Sequence, residues 1–267
     1  MWQKIGVIAR FTALEAVRGR LLWLLVGSLI AVLLLAEFAG AIAITESVEV
    51  KTALAAGILR LFAVFVIALF VTSSMAREQA DKGSELVLSL PLSRAVYYLG
   101  KLLGYGWIAL VAAAAFGLAA CLYAPPVQAL WWAISLFCEL LLVASVSLLC
   151  LFTLKQVTTA LSVVAAFYVL SRAIAAIQLI GHGPVLGSTA WSNRFMTALV
   201  DGLAYVLPDL YRFTPSDWLV YHDGSASALA PILVQTSVYL GLLAAASLFD
   251  LYRKRRTAGT SFMGKNA

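Results

Sequence analysis

Residues 21–44 read LLWLLVGSLIAVLLLAEFAGAIAI, an apolar run of 24 residues that contains a single charged side chain, Glu37. A helix needs about 20 such residues to cross the hydrocarbon core of a bilayer. Five further runs of similar length and composition follow it along the chain, at 53–75, 101–123, 128–152, 157–180 and 229–251. The sequence therefore predicts one all-α transmembrane domain over residues 1–267 that crosses the bilayer six times.

The composition supports this class of protein. Hydrophobic residues make up 63% of the chain and charged residues 12%, whereas soluble domains carry about 25% charged residues. The net charge of +6 comes from Lys and Arg beside the apolar runs, which is typical of membrane topology and not of a nucleic-acid surface. Cys121, Cys138 and Cys150 lie inside apolar runs at spacings that match no metal motif, so no metal site is expected.

The first 20 residues differ from the runs that follow. Apolar side chains recur there at helical spacing, with Lys4, Arg10 and Arg18 largely between them. This pattern predicts an amphipathic helix over residues 1–20 that lies on the membrane surface. The alternative is a basic anchor without helical structure.

The distribution of Lys and Arg predicts the orientation. Fourteen of the nineteen lie in segments that share the side of the N-terminus, three lie on the opposite side, and two lie within spans. Positively charged residues concentrate in the cytoplasmic loops of membrane proteins. We therefore expect a multi-pass cell-membrane protein, in a bacterial inner membrane, with both termini in the cytoplasm.

The connection at 181–228 is the longer of two long connections and is predicted to be extracytoplasmic. Residues 191–207 place apolar side chains on one helical face, and Pro208 then ends the helix. Aromatic residues are dense downstream of Pro208, as at a bilayer interface. We expect one or two short helices that dip into the outer leaflet; the alternative is a soluble loop with its own apolar core.

Four ionisable residues lie within the spans, well away from the span ends. Glu37 and Arg60 lie at similar depth in the first hairpin, and Glu139 and Arg172 flank the turn near residues 153–156 in the same way. A charge at the centre of a membrane helix costs at least about 2.5 kcal/mol, so such residues usually find partners. The spacing predicts two ion pairs, Glu37 with Arg60 and Glu139 with Arg172. These pairs are either structural or part of a substrate path or gate.

The connection at 76–100 carries the most informative motif. Together with Lys101 it reads AREQADKGSELVLSLPLSRAVYYLGK, in which a charged cluster precedes a leucine-rich run that Pro91 ends. Ser93 is placed to cap the helix that follows. A short apolar helix with charged ends, on the cytoplasmic side, indicates a docking element for a partner.

This stretch resembles the segment between the second and third spans of type-2 ATP-binding-cassette (ABC) exporter permeases. The family pattern contains Arg-Glu, Lys-Gly-Ser/Thr-x-Glu, a leucine-rich helix, Pro-x-Ser-Arg and Gly-Lys. Its counterparts here are Arg77-Glu78, Lys82-Gly83-Ser84-Glu85, Leu86 to Leu90, Pro91, Ser93-Arg94 and Gly100-Lys101. One spacer residue before Glu85 is absent. The predicted surface "elbow" helix, six spans and short outer helices before the last span are also similar to that family.

The resemblance implies a permease subunit that couples ATP hydrolysis in a separate cytoplasmic ATPase dimer to substrate export. It also implies a homodimer or a paired permease half, and it allows an extracytoplasmic accessory protein. This chain contains no phosphate-binding loop. We therefore expect that it is not itself an ATPase or another enzyme and that it holds no cofactor. ATP and Mg are expected to bind to the separate ATPase. The alternative function is a non-transporting membrane scaffold or assembly factor. The residues that the resemblance assigns to ATPase coupling are Arg77, Glu78, Lys82, Gly83, Glu85, Leu88, Pro91 and Arg94.

The predicted orientation can be tested by labelling single cysteines in a background without the three native ones. A cysteine at Ser216 is expected to react with a membrane-impermeant reagent added outside the cell. A cysteine at Lys265 is expected to react only after the membrane is opened, because the C-terminus is predicted to be cytoplasmic. Labelling of position 265 from outside, or of position 216 only from inside, would contradict the predicted orientation.

Overall fold

The computed structural model describes residues 2–19, 21–42, 47–81, 93–154, 156–181 and 191–263. Those residues form nine α-helices and one short 3-10 turn, and they contain no β-strand. The helices are α1 Trp2–Arg18, α2 Leu21–Ile42, α3 Ser47–Ala80, α4 Arg94–Ala120, α5 Pro126–Leu154, α6 Val157–Gly181, α7 Trp191–Val206, α8 Asp217–Val220 and α9 Ala226–Met263.

Five helices within this described part of the chain are long and apolar enough to cross a membrane. They are α3, α4, α5, α6 and α9. α2 contains 22 residues, and within it the shorter segment Trp23–Phe38 is also apolar. The described part of the chain is thus all-helical and compatible with a multi-pass membrane protein.

The helices extend beyond the apolar runs that predict them. α3 continues to Ala80, and α4 begins at Arg94, seven residues before the predicted start of the third span. Ser93 occupies the N-cap position of α4, but its side chain makes no capping hydrogen bond, contrary to the prediction. An apolar run marks only the part of a helix that suits lipid. Ala, Arg, Glu and Gln continue the helix into polar surroundings because they are good helix formers.

α5 is the central helix of the bundle. It packs against α3, α4, α6, α8 and α9, and every side chain from Leu142 to Leu148 is buried. Small residues at Ala144, Ser145 and Ser147 let neighbouring helices approach closely, as is common between membrane helices. Apolar packing around α5 therefore sets the positions of the other long helices.

α1 lies along α4 with one face buried against it. Gly100 and Gly104 of α4 make room for α1, because a β-carbon at Gly104 would lie 2.7 Å from Thr12 Cβ. The other face of α1 exposes apolar side chains, and Phe11 is 70% exposed. α1 is therefore a helix with a packed face and an exposed apolar surface.

The segment after α6 contains the short helices that the sequence predicts. α7 ends at Val206, two residues before Pro208, as expected. A 3-10 turn at Leu210–Arg212 and the short helix α8 follow, and this part of the chain packs back against α3, α5 and α6. Leu210, Phe213, Trp218 and Leu219 are buried there.

The close packing of α4 on α5 gives a stability prediction. A β-carbon at Gly117 would lie 2.5 Å from Ala133 Cβ, whereas one at Gly57 in α3 would meet nothing within 4 Å. Gly→Ala in a helix usually stabilises by about 0.5–1 kcal/mol, but overpacking costs about 1–3 kcal/mol. We expect Gly117→Ala to lower the melting temperature of the purified protein and Gly57→Ala to leave it unchanged or raise it. Equal melting temperatures would mean that α4 and α5 are not in close contact.

Candidate functional site

Two clusters of polar and ionisable side chains join the helices of the bundle. The first, called here the arginine network, consists of Arg60, Ser135, Glu139, Tyr168, Arg172 and Thr214. The second, called here the helix-end cluster, consists of Glu15, Ser74, Arg77, Glu78, Tyr97, Lys101 and Tyr105. Arg60 and Arg77 are seventeen residues apart on α3, which is about 26 Å at 1.5 Å per residue. The arginine network therefore lies near the middle of α3, and the helix-end cluster lies at the end of that helix.

Glu139 is the central residue of the arginine network. Its side chain is fully buried, at 0% exposure, in the middle of α5. Its carboxylate accepts hydrogen bonds from Tyr168 Oη at 3.0 Å and from Thr214 Oγ1 at 2.6 Å. Arg172 Nη1 lies 3.6 Å from Glu139 Oε1, so the predicted contact between these two residues is present.

Both arginines of the network also hold the backbone of the turn after α7. Arg172 Nη1 donates to the carbonyl oxygens of Leu210, at 2.6 Å, and Phe213, at 2.8 Å. Arg60 Nη1 donates to the carbonyl oxygen of Thr214 at 3.0 Å, and the Thr214 amide donates to Ser135 Oγ at 2.9 Å. Side chains from α3, α5 and α6 thus fasten one turn to three helices.

The backbone of that turn is strained at Thr214. Its φ angle is 44°, in the left-handed region that β-branched residues rarely adopt. Such a conformation costs about 1–3 kcal/mol and persists only where the surroundings impose it. Here the amide, the carbonyl and the hydroxyl of Thr214 all have partners in the network.

The predicted pairing of Glu37 with Arg60 is wrong. Glu37 pairs with Lys51 at 2.6 Å and is 67% exposed, whereas Arg60 bonds to Thr214. α3 begins at Ser47, six residues before the predicted start of the second span, so Lys51 lies opposite Glu37 across the hairpin. Arg60 is nine residues further along α3, about 14 Å away.

The helix-end cluster joins the end of α3 to the start of α4. Lys101 pairs with Glu78, and Tyr97 Oη donates to Glu78 Oε1 at 3.0 Å. Lys101 is only 6% exposed, and its ammonium also lies 5.9 Å from the ring centroid of Tyr105. Because α3 and α4 share a largely buried ion pair here, their ends are held together.

The same cluster attaches α1 to α3. Glu15 Oε1 accepts a hydrogen bond from Ser74 Oγ at 2.9 Å, and Tyr105 Oη donates to Ser74 Oγ at 3.1 Å. Arg77 Nη2 lies 3.9 Å from Glu15 Oε1. A cavity of about 540 Å³ opens beside these contacts, lined by apolar side chains of α1 and by Glu15, Arg77, Glu78, Asp81 and Lys101.

The predicted ATPase-coupling residues fall partly within the described chain. Arg77 and Glu78 belong to the last turn of α3, and Arg94 begins α4, with its guanidinium 6.0 Å from the ring centroid of Tyr252 in α9. The remaining predicted residues, and the leucine-rich helix predicted at 86–90, lie outside the described residues. These are Lys82, Gly83, Glu85, Leu88 and Pro91.

Sequence reasoning missed the polar partners of the charged residues. Tyr168 lies four residues before Arg172, on the same face of α6, and this helical spacing was an available signal. Thr214 and Ser135 gave none, because their contacts join segments 79 residues apart. In the part of the chain that the structure describes, no group of three or more His, Cys, Asp or Glu side chains could hold a metal ion.

No protein-family model matches this chain, and no curated protein shows significant similarity to it. The function is therefore inferred from the residues of this chain and their geometry.

The burial of Glu139 predicts a large effect of removing its charge. Glu139→Leu leaves Arg172 without its carboxylate in a buried setting, which typically costs about 3–5 kcal/mol. Glu37→Gln removes a carboxylate from an exposed pair, which costs at most about 1 kcal/mol. We expect Glu139→Leu to lower the melting temperature and the folded yield sharply, and Glu37→Gln to change neither. Melting curves of both variants in one detergent provide the measurement, and equal curves would contradict the importance of the network.

Proposed function

We propose that this chain is the membrane subunit of an ATP-driven exporter of the type-2 ABC permease kind, which works as a dimer with a separate cytoplasmic ATPase. The observation that carries the proposal is the arrangement around the family-like motif. The motif begins at Arg77-Glu78 and ends at Gly100-Lys101, and Glu78 and Lys101 form a largely buried ion pair. Both ends of the segment between them are therefore attached to the same joined pair of helices, α3 and α4. This suits an element that transmits force from a partner.

The membrane layout that we propose has six spans: α2, α3, α4, α5, α6 and α9. α2 has 22 residues, about the length of a span, and Glu37 is its only charged residue. α1 would be the elbow helix in the membrane surface, because its exposed apolar side chains suit contact with lipid. The distribution of Lys and Arg supports cytoplasmic termini and the helix-end cluster on the cytoplasmic side.

This layout supplies a route for coupling. In the proposed mechanism, ATP and Mg bind to the partner, whose movement displaces the segment between α3 and α4. Because the Glu78–Lys101 pair ties these helices together, they would move as a unit. α3 carries Arg60 into the arginine network, which also involves α5, α6 and the turn after α7. A shift of α3 would therefore change the contacts that hold this turn, and the turn would act as the extracytoplasmic gate.

Charge reversal and loss of an apolar contact in the predicted coupling segment test the proposal. The variants are Glu85→Arg, Arg94→Glu and Leu88→Asp, with Glu49→Arg, an exposed residue in the first turn of α3, as the matched control. Burial of a leucine contributes about 1.5–3 kcal/mol, so Leu88→Asp should weaken ATPase binding about tenfold or more. The measurements are ATPase activity of the reconstituted complex and recovery of the ATPase in a pull-down.

We expect the three variants to insert and dimerise normally but to lose stimulation of the ATPase, while Glu49→Arg behaves as the unmodified protein. Equal binding and stimulation in all three variants would show that this segment is not the coupling element. If no ATPase co-purifies with the unmodified protein, a non-transporting scaffold or assembly factor becomes the better description.

A further inference from the structure

An apolar groove of about 360 Å³ lies between α3 and α6. Its walls include Leu61, Phe65 and Ala68 from α3 and Leu161, Ala165 and Val169 from α6. Phe65 and Val169 remain more than half exposed, so the groove is open to the surroundings of the bundle. In a membrane those surroundings are lipid, and the groove is accessible from the bilayer.

Both arginines of the arginine network lie beyond the same end of this groove. Val64 and Tyr168 line the groove, and Arg60 and Arg172 each lie four residues away from one of them on the same helix. Residues four apart occupy the same helical face, one turn from each other. Arg60 and Arg172 bond to the same turn at Phe213 and Thr214, so both guanidinium groups are at one end of the groove.

Within the arginine network, and among the described residues, the charges do not balance. Arg60 and Arg172 carry two positive charges, and Glu139 supplies one negative charge. Arg172 bonds to two carbonyl oxygens and contacts Glu139, whereas Arg60 makes one hydrogen bond within the described part of the chain, to the carbonyl oxygen of Thr214. Arg60 Nε is buried and has no hydrogen-bond partner among the described residues. A cation that is only partly compensated beside lipid is unfavourable, and a nearby anion would stabilise it.

We propose that this groove binds a single-chain anionic amphiphile from the bilayer, with its chain between α3 and α6 and its head group at Arg60. The apolar walls match an alkyl chain, and the excess positive charge matches an anionic head. The volume is at the small end of the range of about 300–1,000 Å³ for ligand pockets, which suits one chain and not two. The inference goes beyond the exporter function and is independent of any ATPase.

Photo-crosslinking of the whole protein in nanodiscs tests the choice of head group without changing the protein. The probes are three alkyl chains of equal length with a diazirine at the same carbon and a sulfate, a hydroxyl or a trimethylammonium head. Because hydrogen bonds to charged groups are strong, we expect about tenfold more labelling by the sulfate probe than by the other two probes. Peptide mapping should place that label on residues 61–68 or 161–169, and an unlabelled alkyl sulfate should compete for it.

Two pairs of variants test separately the binding of the alkyl chain in the groove and the binding of the head group at Arg60. Ala165→Trp fills the groove and should abolish labelling by every probe, whereas Ala166→Trp, on the next residue of α6, does not line the groove and should leave labelling intact. Arg60→Gln should reduce sulfate labelling to the level of the alcohol probe, and Arg60→Lys, which keeps the charge, should retain most of it. Only monodisperse fractions are compared, so that a folding defect is not taken for lost binding.

Equal labelling by the three probes, or sulfate labelling that maps outside α3 and α6, would overturn the proposal. So would a groove covered by a second copy of the chain. In that case Ala165→Trp, but not Ala166→Trp, would disrupt the dimer, and no probe would label the groove in the unmodified protein. None of these measurements depends on an ATPase. The amphiphile site and the exporter function can therefore be disproved separately.

Discussion

A carboxylate that is fully buried among apolar helices must have partners, and Glu139 meets this requirement with three side chains from two other parts of the chain. Tyr168 and Arg172 come from α6, and Thr214 comes from the turn after α7. The same arginine that pairs with Glu139 also satisfies two carbonyl oxygens of that turn. The need to compensate one negative charge therefore fixes the contact of α5 with α6 and brings the connection before α9 back against the bundle.

α3 connects the two polar clusters, because it contributes side chains to both of them. One end of α3 shares a largely buried ion pair with α4 beside the family-like motif, and its middle contributes Arg60 to the arginine network. Between them run about 26 Å of continuous helix. A helix that is fastened at two distant places can carry a displacement from one to the other. The proposed exporter and the proposed amphiphile site both use this helix, at its two different polar contacts.

Features that depend on local composition could be predicted from the sequence. Features that depend on the exact ends of a helix or on long-range contacts could not. Apolar runs predict helices well because their length must match the bilayer, and they account for α3, α4, α5, α6 and α9. The contact of Glu139 with Arg172 was predictable because a short turn joins their helices. Glu37 and Arg60 were mispaired because counting from the ends of apolar runs misplaced the start of α3 by six residues. The role of Thr214 depends on long-range contacts of its amide, carbonyl and hydroxyl, and no local sequence pattern marks such contacts.

Hydrogen–deuterium exchange of the unmodified protein in nanodiscs tests most directly whether the turn after α7 is built into the bundle. The amides from Leu210 to Thr214 should exchange slowly, over minutes to hours, because the arginine network holds this turn and Thr214 donates to Ser135. The neighbouring stretch from His222 to Ser225, which has no regular secondary structure, should exchange much faster and serves as the internal reference. Exchange of both stretches at the same fast rate would show that the turn is a free loop, and the account of the network would be wrong.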